Sequence, residues 1–423
     1  MKRIKVLVLP CGSEVGLEIG RALSRSIHVD LHGASSHDDH GRLAFARYAE
    51  LPNIGETQFD ACFAELLARW KIDLVLATHD SVMAYLAPRM AAWGVYLVNG
   101  DPQSTQVARS KAATYAFFAG ESWSPRLFAE LDEIEQWPVL LKPDQGQGGQ
   151  GVTLAADRAA AETALAMIKQ PLICEYLPGE ELTVDCFSDW RGCLLYIGPR
   201  SRERVVGGIA MRSRRLPLSD EVKSIAATIH QRLKLRGPWF FQLKRDAVGQ
   251  YKLLEVSCRL SSSSVVQRAA GVNLPLMAVQ DCMERDQIVL DEPRMTLLER
   301  RLSSHAELAH DFDTAYLDFD DTLVCDGRAN PQAMRFAYRL LEMGKRLILL
   351  TRHAGNLEAA LAEARITASL FDEIIHLRAG EPKSSAIEGA AIFIDNHFPE
   401  RLDVARNRGI PVFDVDALEL LFP

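Results

Sequence analysis

Short apolar runs that end in polar or acidic residues recur along the chain. Residues 6–9 (VLVL), 74–77 (LVLA) and 138–142 (PVLLK) are three of them, and residues 315–317 (AYL), 346–351 (RLILLT) and 391–394 (AIFI) repeat the theme near the end. Runs this short, bounded by turn-forming residues, predict buried strands. Between them lie stretches with helical spacing. One follows the first run through Gly12-Ser13-Glu14-Val15-Gly16 and covers residues 17–23. A second starts at Ser110-Lys111 and runs toward Phe117-Phe118. A third opens at Asn330-Pro331, a cap residue followed by Pro at the first helical position, with Met334, Ala337, Tyr338 and Leu341 on its apolar face. Strands alternating with helices over short connections predict an α/β chain with parallel sheets.

The length of 423 residues sets an expectation of two or three domains. A composition of 48% hydrophobic and 25% charged residues is that of a globular protein. The net charge of -8 argues against sequence-independent nucleic-acid binding, which needs a positive field. The 8 cysteines contain no CxxC pair, and Cys11, Cys174, Cys186 and Cys258 sit in apolar runs. They read as buried thiols in a reducing compartment, so a cytoplasmic location is expected. The opening MKRIKVLVLPC has the outline of a leader. Its apolar run is too short, and Pro10 replaces the small residue expected before a lipidated Cys, so a first strand is the better reading. No apolar stretch approaches the ~20 residues of a membrane span. The likeliest joint between domains is residues 303–311.

Chemistry concentrates at predicted strand ends. Asp318-Phe319-Asp320-Asp321-Thr322 follows an apolar run and carries two carboxylates one residue apart. One can attack phosphorus while the other handles the leaving-group proton. Thr351, Lys383 and Asp395 follow at later strand ends and turns. Residues 311–423 therefore resemble the haloacid dehalogenase (HAD) superfamily of phosphohydrolases. The resemblance implies Asp318 as nucleophile, Asp320 as acid/base, Thr351 and Lys383 on the phosphoryl oxygens, and Asp318, Asp320 and Asp395 as Mg2+ ligands. Asn396 stands where many members have a second acid. The motif gaps leave no room for an inserted cap domain, so a bulky substrate or a lid from another domain is implied.

A second set lies upstream. Lys142 ends a strand, and Asp144-Gln145-Gly146-Gln147-Gly148-Gly149-Gln150-Gly151 follows, with four glycines in six residues. Such a loop can bring backbone N–H groups close to phosphates. It is not the P-loop pattern. Residues 172–185 (LICEYLPGEELTVD), 240–244 (FFQLK) and 253–259 (LLEVSCR) complete the set. Taken in order, residues 1–290 resemble the ATP-grasp superfamily, closest to its carbamoyl-phosphate-synthase-like (large-chain-like) carboxylate–amine ligases. The resemblance implies Lys111 and Lys142 on the ATP phosphates and Gly148 and Gly149 in a lid. It implies Glu175, Tyr176 and Leu177 at the adenine hinge and Glu181 on the ribose. Gln242, Glu255 and Ser257 would hold Mg2+ (Mn2+ being an alternative), and Arg259 would meet the transferring phosphoryl group. Ser257 replaces the usual Asn, Ser110 stands where an acid often precedes the Lys, and Ser261 to Ser264 replace a glycine-containing loop near the phosphates.

Other features carry bland alternatives. The Gly12–Gly16 turn is not GxGxxG, and is a tight βα turn or a contact for a carboxylate substrate. His37-Asp38-Asp39-His40 reads as a solvated loop. Asp80 is a contact for a substrate amine, or part of a turn or a helix cap. Six arginines between Arg200 and Arg215 form an anion site or a surface ion-pair network, with Arg204 the best candidate for the carboxylate or acyl phosphate.

The expected architecture is a Rossmann-like pre-ATP-grasp domain (1–108), an ATP-grasp α+β domain (109–300) and a capless HAD-like Rossmannoid domain (311–423). The expected function is bifunctional: ATP-dependent carboxylate–amine ligation through an acyl phosphate, and Mg-dependent phosphate monoester hydrolysis through an aspartyl phosphate. The partners would be small-molecule acids and amines and a phosphorylated metabolite, with no nucleic acid or membrane; a homodimer is allowed. The alternatives are an ATP-binding module that regulates the phosphatase without ligation, and a small-molecule kinase paired with a phosphatase.

Overall fold

A computed structural model describes residues 3–146 and 148–421, in two compact units, Met1–Arg301 and Leu302–Pro423. The first unit starts with a five-stranded parallel sheet, β1 (Ile4–Leu9), β2 (Val29–Ser35), β3 (Arg47–Glu50), β4 (Leu74–Ala77) and β5 (Tyr96–Leu97), in the order β3-β2-β1-β4-β5. Its inner strands are buried on both faces, as the unbroken apolar runs require. Ser13 caps the helix Glu14–Leu23 by accepting from Gly16 N at 3.0 Å.

A four-stranded sheet follows, in the order β6-β9-β7-β8, with β6 at Leu127–Phe128, β7 at Val139–Pro143, β8 at Thr153–Ala155 and β9 at Pro171–Glu175. Then come β10 (Glu181–Ser188), β11 (Leu194–Ser201), β12 (Arg204–Val206), β13 (Ile209–Arg214), β14 (Gly237–Arg245), β15 (Tyr251–Ser257) and β16 (Leu297–Glu299). Strands β11-β10-β14-β15 form an antiparallel sheet, and β12-β13-β16 a separate small one. Alternation decides which face of the larger sheet is buried. Leu182, Val184 and Cys186 of β10, Phe241 and Leu243 of β14, and Leu253 and Val256 of β15 pack with Ile225, Ala226 and Ile229 of the helix Asp220–Arg232. Ser219 caps that helix, Asp220 and Glu221 fill its first turn, and His230 and Arg232 its last, matching the helix dipole. The intervening residues face the other way and include Glu181, Thr183, Asp185, Gln242, Glu255 and Ser257.

The second unit is a five-stranded parallel sheet, β21-β20-β17-β22-β23, comprising β17 (Thr314–Leu317), β20 (Arg346–Thr351), β21 (Glu373–His376), β22 (Ala391–Ile394) and β23 (Val412–Phe413). Only a two-stranded hairpin, β18 (Val324–Cys325) with β19 (Arg328–Ala329), lies between β17 and the helix Pro331–Glu342. That helix is capped by Asn330, as its sequence suggested. Its core face matches the expected one only in Ala337 and the partly buried Met334. Ala333, Phe336, Ala337 and Leu340 are buried, whereas Tyr338 and Leu341 are exposed. Both stripes have helical spacing; burying Phe336 with the flat Ala333 and Ala337 lets the helix lie close on the sheet. No helix among the described residues is long and apolar enough to cross a membrane, and all eight cysteines are unpaired.

Candidate functional site

Strand register lays out the first site rung by rung. Thr183 pairs with Arg200 on one side and Gln242 on the other, and Gln242 pairs with Glu255. Residues directly opposite in antiparallel strands share a face. Arg200, Thr183, Gln242 and Glu255 therefore make one polar row, and Gly198, Asp185, Phe240 and Ser257 make the next. Glu181, two residues before Thr183, shares the face and pairs with the Arg202 guanidinium at 2.6 Å. Burial, and then the charge of Asp80, push the Glu255 carboxyl above its ordinary range. Arg259, Lys111 and Arg202 offset part of that rise.

Lysines come from the smaller sheet. Lys142, near the end of β7, is buried, and its ammonium donates to Tyr115 Oη at 2.6 Å. Tyr115 in turn donates to the Leu254 carbonyl at 2.6 Å. Burial, with the nearby charge of Lys111, pushes the Lys142 ammonium below its usual value. A buried cation bonded to a neutral phenol fits an anionic ligand. Lys111 opens the helix Lys111–Phe117 and donates to the carbonyls of Asp144 and Gly146, both at 3.3 Å. Ser110 does two jobs: it caps that helix and donates to Asp144 Oδ1 at 2.8 Å, which fixes the root of the glycine loop.

The loop meets another glycine turn. Gly148 and Gly149 hold φ of +67° and +73°, the left-handed region. A Cβ on Gly208, in the turn between β12 and β13, would lie 2.0 Å from Gly148 Cα. The two turns thus touch backbone to backbone. At the hinge, Glu175 accepts from Arg126 N at 2.8 Å, Tyr176 is exposed and Leu177 is buried. A cavity of about 520 Å³ lies beside it, bounded by Tyr115, Arg126, Glu175 and Lys252 among others.

Several residues stand apart from their expected roles. Arg204 lies on the small β12-β13-β16 sheet, is exposed, and pairs with Glu299 at 3.3 Å. Ser261, Ser263 and Ser264 are buried in a network of their own: Ser261 donates to Asp185 at 2.5 Å, Ser263 to the Ala210 carbonyl, and Ser264 to the Ser261 carbonyl. Arg259 and Ser257 are both held by Asp80, at the start of the helix Asp80–Leu86. Arg259 Nε and Nη2 lie 3.0 and 2.7 Å from Asp80 Oδ2, and Ser257 Oγ donates to Oδ1 at 2.6 Å. Burial raises the Asp80 carboxyl, but the charge of Arg259 and the Ser257 hydroxyl outweigh it and leave it below its usual range. Asp80 was open as an amine contact or a cap; this grip has no local sequence signal because its partners lie 177 and 179 residues away. At the first sheet, a Cβ on Gly12 would fall 2.1 Å from the Asp39 carboxylate. A carboxylate of the chain itself stands over the glycine turn, where a dinucleotide phosphate would have to approach.

In the second unit, the expected residues gather at the ends of adjacent parallel strands. Lys383 is buried and its ammonium lies 2.6 Å from both Asp318 Oδ1 and Asp395 Oδ2. Those two oxygens are therefore no more than about 5 Å apart. Burial pushes the Asp318 carboxyl up; Lys383 pulls it back down and Asp395 pushes it further up. Two carboxylates against one ammonium leave room for a cation. Thr351 is buried at the end of β20, and its hydroxyl accepts from His353 N. Asp320 is exposed and lies 2.9 Å from His353 Nδ1, a partner that the sequence did not single out. Asn396 N donates to Thr322 Oγ1 at 3.1 Å. Among the described residues no group of three His, Cys, Asp or Glu is arranged to hold a metal. Mg2+ needs only one or two carboxylates when phosphate and water complete its shell, so Glu255 with Gln242, and Asp318 with Asp395, remain suitable.

The comparisons point the same way for the first unit. A family model described as "ATP-grasp in the biosynthetic pathway with Ter operon" matches residues 167–301. The chain is 36% identical over 61 residues to D-alanine–D-alanine ligase of Fusobacterium nucleatum, which is 14% of this chain and 21% of that protein. It is 27% identical over 188 residues to phosphoribosylamine–glycine ligase of Caulobacter vibrioides, 40% of this chain and 44% of that one. The chain thus spans less than half the length of these curated relatives. Among solved structures, an L-amino acid ligase from Bacillus licheniformis superposes with a TM-score of 0.54 at 18% identity, over 67% of this chain and 75% of that one. At that identity the likeness is one of fold.

Proposed function

We propose that the first unit joins a carboxylic acid to an amine at the expense of ATP. The observation that carries this reading is the polar face of β11-β10-β14-β15, where Gln242, Glu255 and Ser257 share a surface with a buried arginine. The buried Lys142 with its neutral partner Tyr115 supports it, as does the similarity to carboxylate–amine ligases. In this reading residues 1–108 support the acid and amine, and residues 109–300 bind the nucleotide. Lys111 and Lys142 hold the phosphates, Gly148 and Gly149 close over them, Glu175 to Leu177 meet adenine, and Glu181 meets ribose.

A carboxylate oxygen of the acid attacks the γ-phosphorus and ADP leaves. Arg259 compensates the charge spread over the moving phosphoryl oxygens. The amine nitrogen then attacks the acyl carbon, inorganic phosphate leaves with the electron pair of its C–O bond, and the nitrogen loses a proton. Mg2+ held by Gln242 and Glu255 would screen the phosphate charge. Asp80 keeps Arg259 aligned throughout.

We propose further that residues 311–423 hydrolyse a phosphate monoester. Asp318 attacks phosphorus, and Asp320 gives its proton to the leaving oxygen and then takes one from the attacking water. Lys383 and Thr351 hold phosphoryl oxygens, and Mg2+ would sit on Asp318 and Asp395. A regulatory reading, in which ATP binds without ligation, is favoured by one feature alone: the Ser257 hydroxyl is committed to Asp80. Incubation with ATP, Mg2+ and pooled acids and amines separates the readings. Acid-dependent ADP release supports the ligase; ATP binding without turnover for any acid supports the regulator.

A further inference from the structure

We propose that Arg200, Thr183 and Ser213 form the pocket that grips the carboxylate of the acid substrate, the role which the sequence pattern gave to Arg204. The proposal rests on the ligase reading above and names the binding residues of that site. Arg200 is 1% exposed, and its guanidinium is only partly used. Nε donates to Asp185 Oδ2 at 2.9 Å and Nη2 to Ser261 Oγ at 2.9 Å, while Nη1 is buried without a hydrogen-bond partner. Thr183 Oγ1 and Ser213 Oγ are buried and unpartnered in the same way.

Two of these groups are direct neighbours, and the third lies on the same face. Thr183 lies directly opposite Arg200. An antiparallel bridge between Arg200 and Arg215 puts Ser213 across from Arg202, one pleat along the same face. Buried polar groups are seldom left unmatched, and three on one face, two of them in the row that ends at Gln242 and Glu255, mark a place for a polar ligand. A guanidinium edge with two hydroxyls matches a planar monoanion, and the side-chain carboxylate of the chain nearest to it is already spent. Asp185 accepts from Arg200 Nε, Ser261 Oγ and Gln267 Nε2, which fixes the fork and leaves Nη1 to present. Arg204 has none of this support: its side chain is 57% exposed and bound to Glu299.

The test uses the full-length protein, ATP and Mg2+, with acetate, succinate and each of the twenty L-amino acids as acid probes. ADP release gives KM for the acid and for ATP separately, in wild type, Thr183→Val, Ser213→Ala and Arg200→Lys. The acid KM is expected to rise about tenfold in Thr183→Val and more in Arg200→Lys, as loss of one hydrogen bond to a charged group implies, with the ATP KM nearly unmoved. Because Arg200→Lys disturbs a buried ion pair, folding is checked by melting, and the near-isosteric Thr183→Val and Ser213→Ala carry the test if it fails to fold. Unchanged acid KM in those two variants overturns the proposal while leaving the ligase reading intact. So does a lower melting temperature without a change in KM, the result if the groups only hold a buried water. A raised acid KM in Arg204→Ala alone overturns it too. If the wild type releases no ADP with any acid, the ligase reading fails; the pocket is then judged by thermal shift with the same probes. A shift lost in Thr183→Val supports it, and no shift in the wild type ends it.

Discussion

Replacing Asp80 with Ala removes the node that joins the first parallel sheet to the polar face of β11-β10-β14-β15. Three hydrogen bonds go at once: two from Arg259 and one from Ser257. The Arg259 side chain is only 12% exposed, so it is left as a mostly buried, unpaired charge. Breaking one partner of a buried pair costs about 3–5 kcal/mol, and the 22% exposure of Asp80 argues for the lower end, about 3 kcal/mol. At roughly 2–4 °C per kcal/mol the first unit should melt about 6–12 °C lower. The effect depends on pH with a definite sign. The folded Asp80 carboxyl titrates below its usual range, so its contribution is complete above the unfolded value near ~4 and fades as pH falls through the folded value. The gap between wild type and Asp80→Ala should therefore be constant near neutrality and close in acid. Differential scanning calorimetry from pH 7 down to about 3 measures it. A variant that melts with the wild type at neutral pH, or a gap that widens in acid, would refute the role given to Asp80.

Other substitutions probe single contacts. Lys142→Met should leave the ligand-free protein as stable as wild type or more so, because a buried charge is removed, while the ATP-induced rise in melting temperature is lost; calorimetry with and without ATP decides it. Gly208→Ala puts a Cβ into Gly148 and adds a side chain at a φ of +78°, so it should lower kcat for ADP release about tenfold or more without unfolding the protein; a wild-type kcat would show that the two turns need not meet. Lys383→Met leaves Asp318 and Asp395 facing each other without a counter-ion, and should lower the melting temperature of the second unit at pH 7 with partial recovery in acid, read by circular dichroism.

Strand positions were legible because they are apolar on both faces: 74–77 and 346–351 match the observed β4 and β20 to the residue. The helix Pro331–Glu342 was found at the right place with half of its expected face inward, Ala337 and Met334 but not Tyr338 and Leu341, since two apolar stripes compete on it and only the sheet beneath selects between them. Strand-end motifs brought Asp318 and Asp395 together, because parallel neighbours in one sheet place their ends side by side, and Lys383 joins them from the short 3-10 helix Lys383–Ala386. Arg200 was not separable from Arg202 and Arg204, which alternate with it in sequence. Burial distinguishes them, and burial there depends on β10 and on Ser261, 61 residues away. The grip of Asp80 on Arg259 and the pairing of Asp320 with His353 join distant segments, and no local pattern announces such contacts.

The central claim is that two independent phosphorus-transfer sites share this chain. The most direct measurement follows ADP release and phosphate-ester hydrolysis in parallel for wild type, Asp318→Asn and Glu255→Ala. Asp318→Asn is expected to abolish ester hydrolysis and spare ADP release, and Glu255→Ala to do the reverse. Loss of both activities in either variant would contradict the claim.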